Sequence, residues 1–76
     1  MNQINIDEIK LKFGQKVRDL RLQKGISQEE LGYRSGLHRN YISDIERGKR
    51  NISLENIFLL AYALDVAGAT LLDFNE

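Results

Sequence analysis

The sequence predicts an all-α chain, a compact bundle of about five short helices. Apolar side chains recur at steps of three and four, the spacing that gathers them on one face of a helix. Serine stands ahead of two of these periodic runs and a glycine follows three of them, the start and stop signals of helices. No convincing strand alternation and no internal repeat is found along the chain.

In the first helix Ile9, Phe13, Val17 and Leu20 share a face, and the helix ends near Lys24 and Gly25. Ser27 then stands where its oxygen accepts from the free amides of a second helix, Gln28 to Ser35, while Glu29 and Glu30 favour the positive end of that helix dipole. Gly36 can take the left-handed conformation that a β-carbon penalises, so a tight turn is expected there. Leu37 or His38 opens a third helix that runs to about Arg47, with Ile42 and Ile45 facing inward and Gly48 closing it. After Lys49, Arg50 and Asn51, the pair Ser53 and Asn56 marks the start of a fourth helix, whose apolar stripe is Leu54, Ile57, Leu60, Ala61 and Leu64. A last short helix is expected over Gly68 to Phe74.

At 76 residues the chain has room for one core, so residues 1–76 are read as a single domain. Hydrophobic residues at 42% and charged residues at 29% place it among globular rather than disordered chains. Without cysteine it has neither disulfides nor thiolate metal sites, which fits a cytoplasmic protein. The opening MNQINIDEIK is too polar for a signal peptide, and no apolar run approaches the roughly 20 residues that cross a bilayer, so no membrane association is expected. The formal net charge is zero, yet its distribution is uneven. Arg34, Arg39, Arg47, Lys49 and Arg50 face only Asp44 and Glu46 in the middle of the chain, whereas Glu55, Asp65, Asp73 and Glu76 have no basic neighbour after Asn51.

The segment QEELGYRSGLHRNYISDIER, Gln28 to Arg47, therefore holds two short helices joined by a tight turn, the helix-turn-helix arrangement. Leu31, Ile42 and Ile45 would clamp the two helices, and Gly32 has no side chain where the third helix crosses closely. From Phe13 to Val66 the sequence resembles the lambda-repressor/Cro-like, or XRE, family of regulators, through FGQKVRDLRLQKGISQEELG and YISDIERGKRNISLENIFLLAYALDV. The run HRNYISDIERGKRNISL resembles in particular the controller proteins of restriction–modification systems.

That resemblance implies a third helix lying in the major groove of double-stranded DNA with its N-terminal residues at base edges. His38, Arg39, Asn40, Ser43 and Asp44 then form the reading set, and Arg50 in the next loop also reaches a base. Arg39 leads it, because a guanidinium donates two parallel bonds to guanine O6 and N7, worth about 1–3 kcal/mol of discrimination. Asn40 can read adenine in the same bidentate way; Asp44 would repel phosphate unless it accepts from a cytosine amino group. Gln28, Tyr41, Lys49 and Asn51 are assigned to phosphate oxygens, which fix register without specifying sequence. Arg34, Arg47 and Lys49 also fit ordinary solvated charges, with a phosphate contact the alternative for each. The family also places Arg21 and Glu46 as a buried or half-buried ion pair that orients the reading helix, the alternative being a loose surface pair.

Reading a few bases with one short helix calls for a second copy, on half-sites about 34–36 Å apart. The candidate homodimer surface lies in the C-terminal part, about residues 58–76: Phe58, Leu59, Tyr62, Leu71, Leu72 and Phe74, with Leu71 and Leu72 alternatively capping the monomer's own core. The expected function is a sequence-specific transcriptional regulator on a roughly palindromic operator, autoregulatory and controlling restriction–modification genes, with RNA polymerase as a further partner. The chain leaves no room for a small-molecule effector domain, so its response would follow its own concentration. The competing reading is an antitoxin-like adaptor whose C-terminal apolar surface holds a different protein. An enzyme is disfavoured: His38 has no second metal ligand beside it, no cysteine nucleophile or Gly-rich phosphate loop is present, and neither catalytic residues nor a cofactor or metal is expected.

Overall fold

A computed structural model describes residues 3–74, which form α1 (Ile6–Lys24), α2 (Gln28–Ser35), α3 (Arg39–Glu46), α4 (Leu54–Leu64) and α5 (Gly68–Leu71), with no strand among the described residues. Each of the first four helices starts on a side-chain acceptor that satisfies an otherwise orphaned amide. Asn5 Oδ1 accepts from the Glu8 amide at 3.0 Å, Ser27 Oγ from Glu30 at 2.9 Å, and Ser53 Oγ from Asn56 at 3.1 Å. At α3 the cap is His38, whose Nδ1 accepts from the Asn40 amide at 3.0 Å.

All five helices contribute to one core: Phe13 and Val17 from α1, Leu31 from α2, Ile42 and Ile45 from α3, Leu60, Ala61, Ala63 and Leu64 from α4, and Leu71 from α5. Fully burying a side chain of the Leu, Ile or Val kind contributes about 1.5–3 kcal/mol, so this cluster is a main support of α3. α3 packs chiefly on α1 and α2, and α4 backs α2 from the other side. The approach of α1 to α3 depends on Gly14, where an added Cβ would collide with the Ile45 carbonyl and lie 2.9 Å from that of Glu46.

Three expectations are corrected. Ile9 is exposed, because α1 enters the core only at Phe13. Leu54 stands 68% exposed at the first position of α4, and the stripe sinks inward only from Ile57 onward. The last helix closes at Leu71 rather than Phe74.

Candidate nucleic-acid interface

The turn between α2 and α3 is built from backbone and serine groups. Gly36, in the left-handed region at φ 78°, donates to the Gly32 carbonyl at 2.8 Å, and Leu37 donates to the same oxygen at 3.0 Å. Ser35 Oγ also reaches that carbonyl at 3.3 Å and accepts from the Leu37 amide at 3.3 Å. A Cβ on Gly32 would lie 2.6 Å from the Leu37 carbonyl and 3.3 Å from the Arg39 amide, so a side chain there would push the start of α3 away. Leu31, Ile42 and Ile45 close the joint from beneath, each 2% exposed or less.

With Ile42, Ile45 and Glu46 turned inward, the opposite face of α3 carries Arg39, Asn40, Ser43, Asp44 and Arg47 at steps of one, three, one and three. Arg39 and Asn40 are exposed and Ser43 and Asp44 half-buried. Arg39 Nη1 lies 3.9 Å from Glu29 Oε1, with both side chains largely in solvent, a contact of small energy. Since His38 Nδ1 accepts from a backbone amide, the ring proton of the neutral form resides on Nε2, which gives this residue one donor beside its capping role.

The residues assigned to phosphate are also structurally engaged. Tyr41 is half-buried and its hydroxyl accepts from Asn56 Nδ2 at 3.0 Å, which leaves its own proton to donate. Gln28 is half-buried and its Nε2 donates to Glu46 Oε1 at 3.0 Å, making it a brace as well as a phosphate candidate. Lys49 and Asn51 are exposed in the loop after α3.

Arg21 and Glu46 form the buried alternative of the two expected. Arg21 Nε donates to Glu46 Oε2 at 2.7 Å and Nη2 to Oε1 at 3.0 Å, in the bidentate geometry that suits a planar guanidinium. Arg21 Nη1 donates to the Ile26 carbonyl at 2.9 Å, and the two residues are 7% and 8% exposed. The bonds to Glu46 raise the Arg21 pKa above its ordinary value despite burial, so the guanidinium stays charged. The pair ties the end of α3 to α1, and Gln28 adds α2 to the same carboxylate. The signal for the close approach at Gly14 is a glycine in the interior of α1, where alanine is more stable by about 1 kcal/mol, whereas the bond from Gln28 to Glu46 has no signature in the sequence.

Asp44 differs from a free reading group. Its Oδ1 accepts from Arg47 Nη2 at 2.6 Å and its Oδ2 from Arg50 Nε at 3.1 Å. These bonds, first that of Arg47 and then that of Arg50, hold its carboxyl below the usual 3.8. Arg50 in turn lies with its guanidinium carbon 5.1 Å from the centroid of the Tyr41 ring, a cation–π arrangement.

Of the residues assigned to self-association, Phe58, Leu59, Tyr62 and Leu72 are exposed, at 57%, 42%, 83% and 52%. Leu71 is corrected: it is fully buried beneath α4, so it belongs to the monomer core. Phe74 is half-buried, packed against the same core beside Lys12, Lys16 and Leu20 of α1, which sets it apart from the α4 surface. Leu54, placed in the core from the sequence, joins the exposed apolar face of α4 instead.

Two eight-residue helices joined by a glycine turn, the second held rigidly with a polar outer face, define a helix-turn-helix protein. The chain belongs to the helix-turn-helix family of the XRE type, whose pattern matches residues 17–71. It is 56% identical over 69 residues to the control protein C.BamHI of Bacillus amyloliquefaciens, covering 90% of this chain and 85% of that one. It is 42% identical to the control protein C.SmaI of Serratia marcescens over 86% of this chain and 77% of that one. Among solved structures, the restriction-modification controller protein C.AhdI from Aeromonas hydrophila superposes with a TM-score of 0.81 at 53% identity, over 82% of this chain and 94% of that chain.

Proposed function

We propose that this chain is a sequence-specific, double-stranded-DNA-binding transcriptional regulator, a single domain that acts as a homodimer on a roughly palindromic operator and controls restriction–modification genes, its own included. The observation that carries the reading is the outer face of α3, where Arg39, Asn40 and Ser43 stand on a helix fixed to α1 and α2 through the Arg21, Glu46 and Gln28 contacts. His38, Arg39, Asn40, Ser43 and Arg50 are its base-reading candidates, and Gln28, Tyr41, Lys49 and Asn51 its phosphate contacts. The control proteins among its relatives support the biological assignment.

Phe58, Leu59 and Tyr62 on α4, joined by Leu54, and Leu72 at the end of α5 support the homodimer, since clustered exposed apolar side chains mark an association surface. The acidic residues after Asn51 keep that part of the chain away from phosphates. No helix among the described residues is long and apolar enough to cross a membrane, in keeping with action on DNA in the cytoplasm, where RNA polymerase is the second partner.

Selection of bound duplexes from a random-sequence pool tests the reading. An inverted repeat is expected, with affinity falling steeply as salt rises and with relaxed preference at one position in Arg39→Ala. Asymmetric sites covered by a monomer would refute the homodimer. A stoichiometric complex with an unrelated protein, without DNA binding, would establish the adaptor function in its place.

A further inference from the structure

A carboxylate on the DNA-facing side of a reading helix opposes phosphate, and Asp44 sits on that side among Arg39, Asn40, Ser43 and Arg47. Both of its oxygens are occupied, one by Arg47 and one by Arg50. We infer that Asp44 is a positioning residue for Arg50: it grips Nε so that the terminal nitrogens of the guanidinium are offered to a guanine edge. The inference rests on the DNA-binding reading given above and assigns Asp44 a task other than contact with a base.

The geometry supplies the grip from two directions. Arg50 lies in the irregular segment after α3, six residues beyond Asp44, where an exposed arginine has many rotamers. The bond to Asp44 Oδ2 at 3.1 Å fixes one edge of the guanidinium, and the Tyr41 ring, 5.1 Å from its carbon, fixes one face. Tyr41 is itself anchored, because its hydroxyl accepts from Asn56 at 3.0 Å and Asn56 belongs to the capped first turn of α4. A continuous set of contacts thus runs from α4 through Tyr41 to Arg50, and another from α3 through Asp44. An arginine carries five N–H donors in a planar fork. Asp44 takes Nε, and the terminal nitrogens carry the donors that fit guanine O6 and N7. Direct reading of a cytosine amino group by Asp44 would have to displace one of two charge-assisted bonds, so the carboxylate is better placed to order an arginine than to meet a base.

Removing Asp44 has two consequences of opposite sign, which makes the ratio of affinities the informative readout. Loss of a negative charge near phosphate tightens binding to every duplex, whereas loss of the grip weakens only the discrimination made by Arg50. Pre-ordering one rotamer-rich side chain is worth about a two- to tenfold change in that discrimination.

The test measures equilibrium binding of the wild type, Asp44→Ala, Asp44→Asn, Arg50→Ala and the double variant Asp44→Ala/Arg50→Ala. The probes are the duplex selected by the wild type and its single-base-pair variants. Arg50→Ala is expected to erase preference at one guanine, and Asp44→Ala to reduce preference at that same position by about two- to tenfold while sparing the position sensitive to Arg39→Ala. Asp44→Asn, which removes the same charge but keeps one acceptor oxygen, should retain more of the preference than Asp44→Ala. In the Arg50→Ala background Asp44→Ala should change no preference at all. Equal preferences in Asp44→Ala and Asp44→Asn, an unchanged loss when Arg50 is absent, or a loss at a cytosine that Arg50 does not affect would each overturn the inference. Base preference that depends on Arg39 but not on Arg50 would overturn it and leave the functional reading standing. Failure of the wild type to bind any duplex would overturn both.

Discussion

Glu46→Ala removes one carboxylate that accepts three hydrogen bonds, two from Arg21 at 2.7 and 3.0 Å and one from Gln28 at 3.0 Å. Arg21 then stays 7% exposed with a full charge and only the Ile26 carbonyl to receive it. Deprotonation offers no escape, because arginine remains charged at every accessible pH. Breaking a buried pair by deleting one partner costs about 3–5 kcal/mol. A smaller effect opposes it: Glu46 closes α3, where a negative charge meets the negative end of the helix dipole, and its removal returns at most about 1 kcal/mol. The net loss is therefore about 2–5 kcal/mol. A 76-residue domain has a total stability of roughly 4–11 kcal/mol, so this one substitution removes a large part of it. At about 4–8 °C per kcal/mol, the melting temperature followed by far-UV circular dichroism should fall by roughly 8–40 °C. Arg21→Met with Glu46→Leu should recover most of the stability, since apolar replacement of both members of a buried pair is often neutral or better. A loss within about 0.5 kcal/mol for Glu46→Ala would mean that the pair behaves as a solvated surface pair, and the reasoning from burial would be wrong.

Gly14→Ala should destabilise by about 1–3 kcal/mol in urea unfolding, because its Cβ meets the rigid carbonyls of Ile45 and Glu46. Gly36→Ala meets no atom within 4 Å and should cost only the left-handed backbone penalty of about 1–2 kcal/mol, with a smaller effect on the placement of α3. Tyr62→Asp, on a side chain that is 83% exposed, should leave the melting temperature of the monomer unchanged while sedimentation moves from dimer to monomer and operator binding weakens. Phe74→Asp should instead lower the melting temperature of the monomer, since Phe74 packs against the core beside α1. In an NMR titration the Asp44 carboxyl should titrate below 3.8. Because its folded pKa is depressed, its contribution is present above 3.8 and disappears as the pH falls through the folded value, so the grip on Arg47 and Arg50 should be intact at neutral pH.

The helices were legible because each carries its own punctuation. Ser27, Gly36 and Ser53 act within one turn of where they stand, and all three occupy the cap positions expected of them. The inward faces of α2 and α3 were equally plain, since Leu31, Ile42 and Ile45 follow helical spacing. What remained hidden depends on how far each helix extends past its neighbours. Ile9 and Leu54 fit the apolar stripes of α1 and α4, yet both lie in segments that reach beyond the core. Leu71 illustrates the reverse: in a tail rich in apolar residues, spacing over a single turn cannot separate the one that points beneath α4 from its exposed neighbour Leu72. The side chains proposed to meet DNA stood out by type and position, but their mutual bonds did not. Asp44 sits three and six residues from its two arginine partners, and only the turn after Glu46 brings Arg50 back towards it.

The outer face of α3 is the surface proposed to meet DNA. Amide chemical shifts of the 8.8 kDa chain, recorded as the selected duplex is added at low ionic strength, test it most directly. Perturbations concentrated at Gln28 and from His38 to Asn51, with Leu60 and Leu64 left nearly still, are the expected result. Shifts confined to the exposed face of α4, or no shifts at saturating duplex, would contradict it.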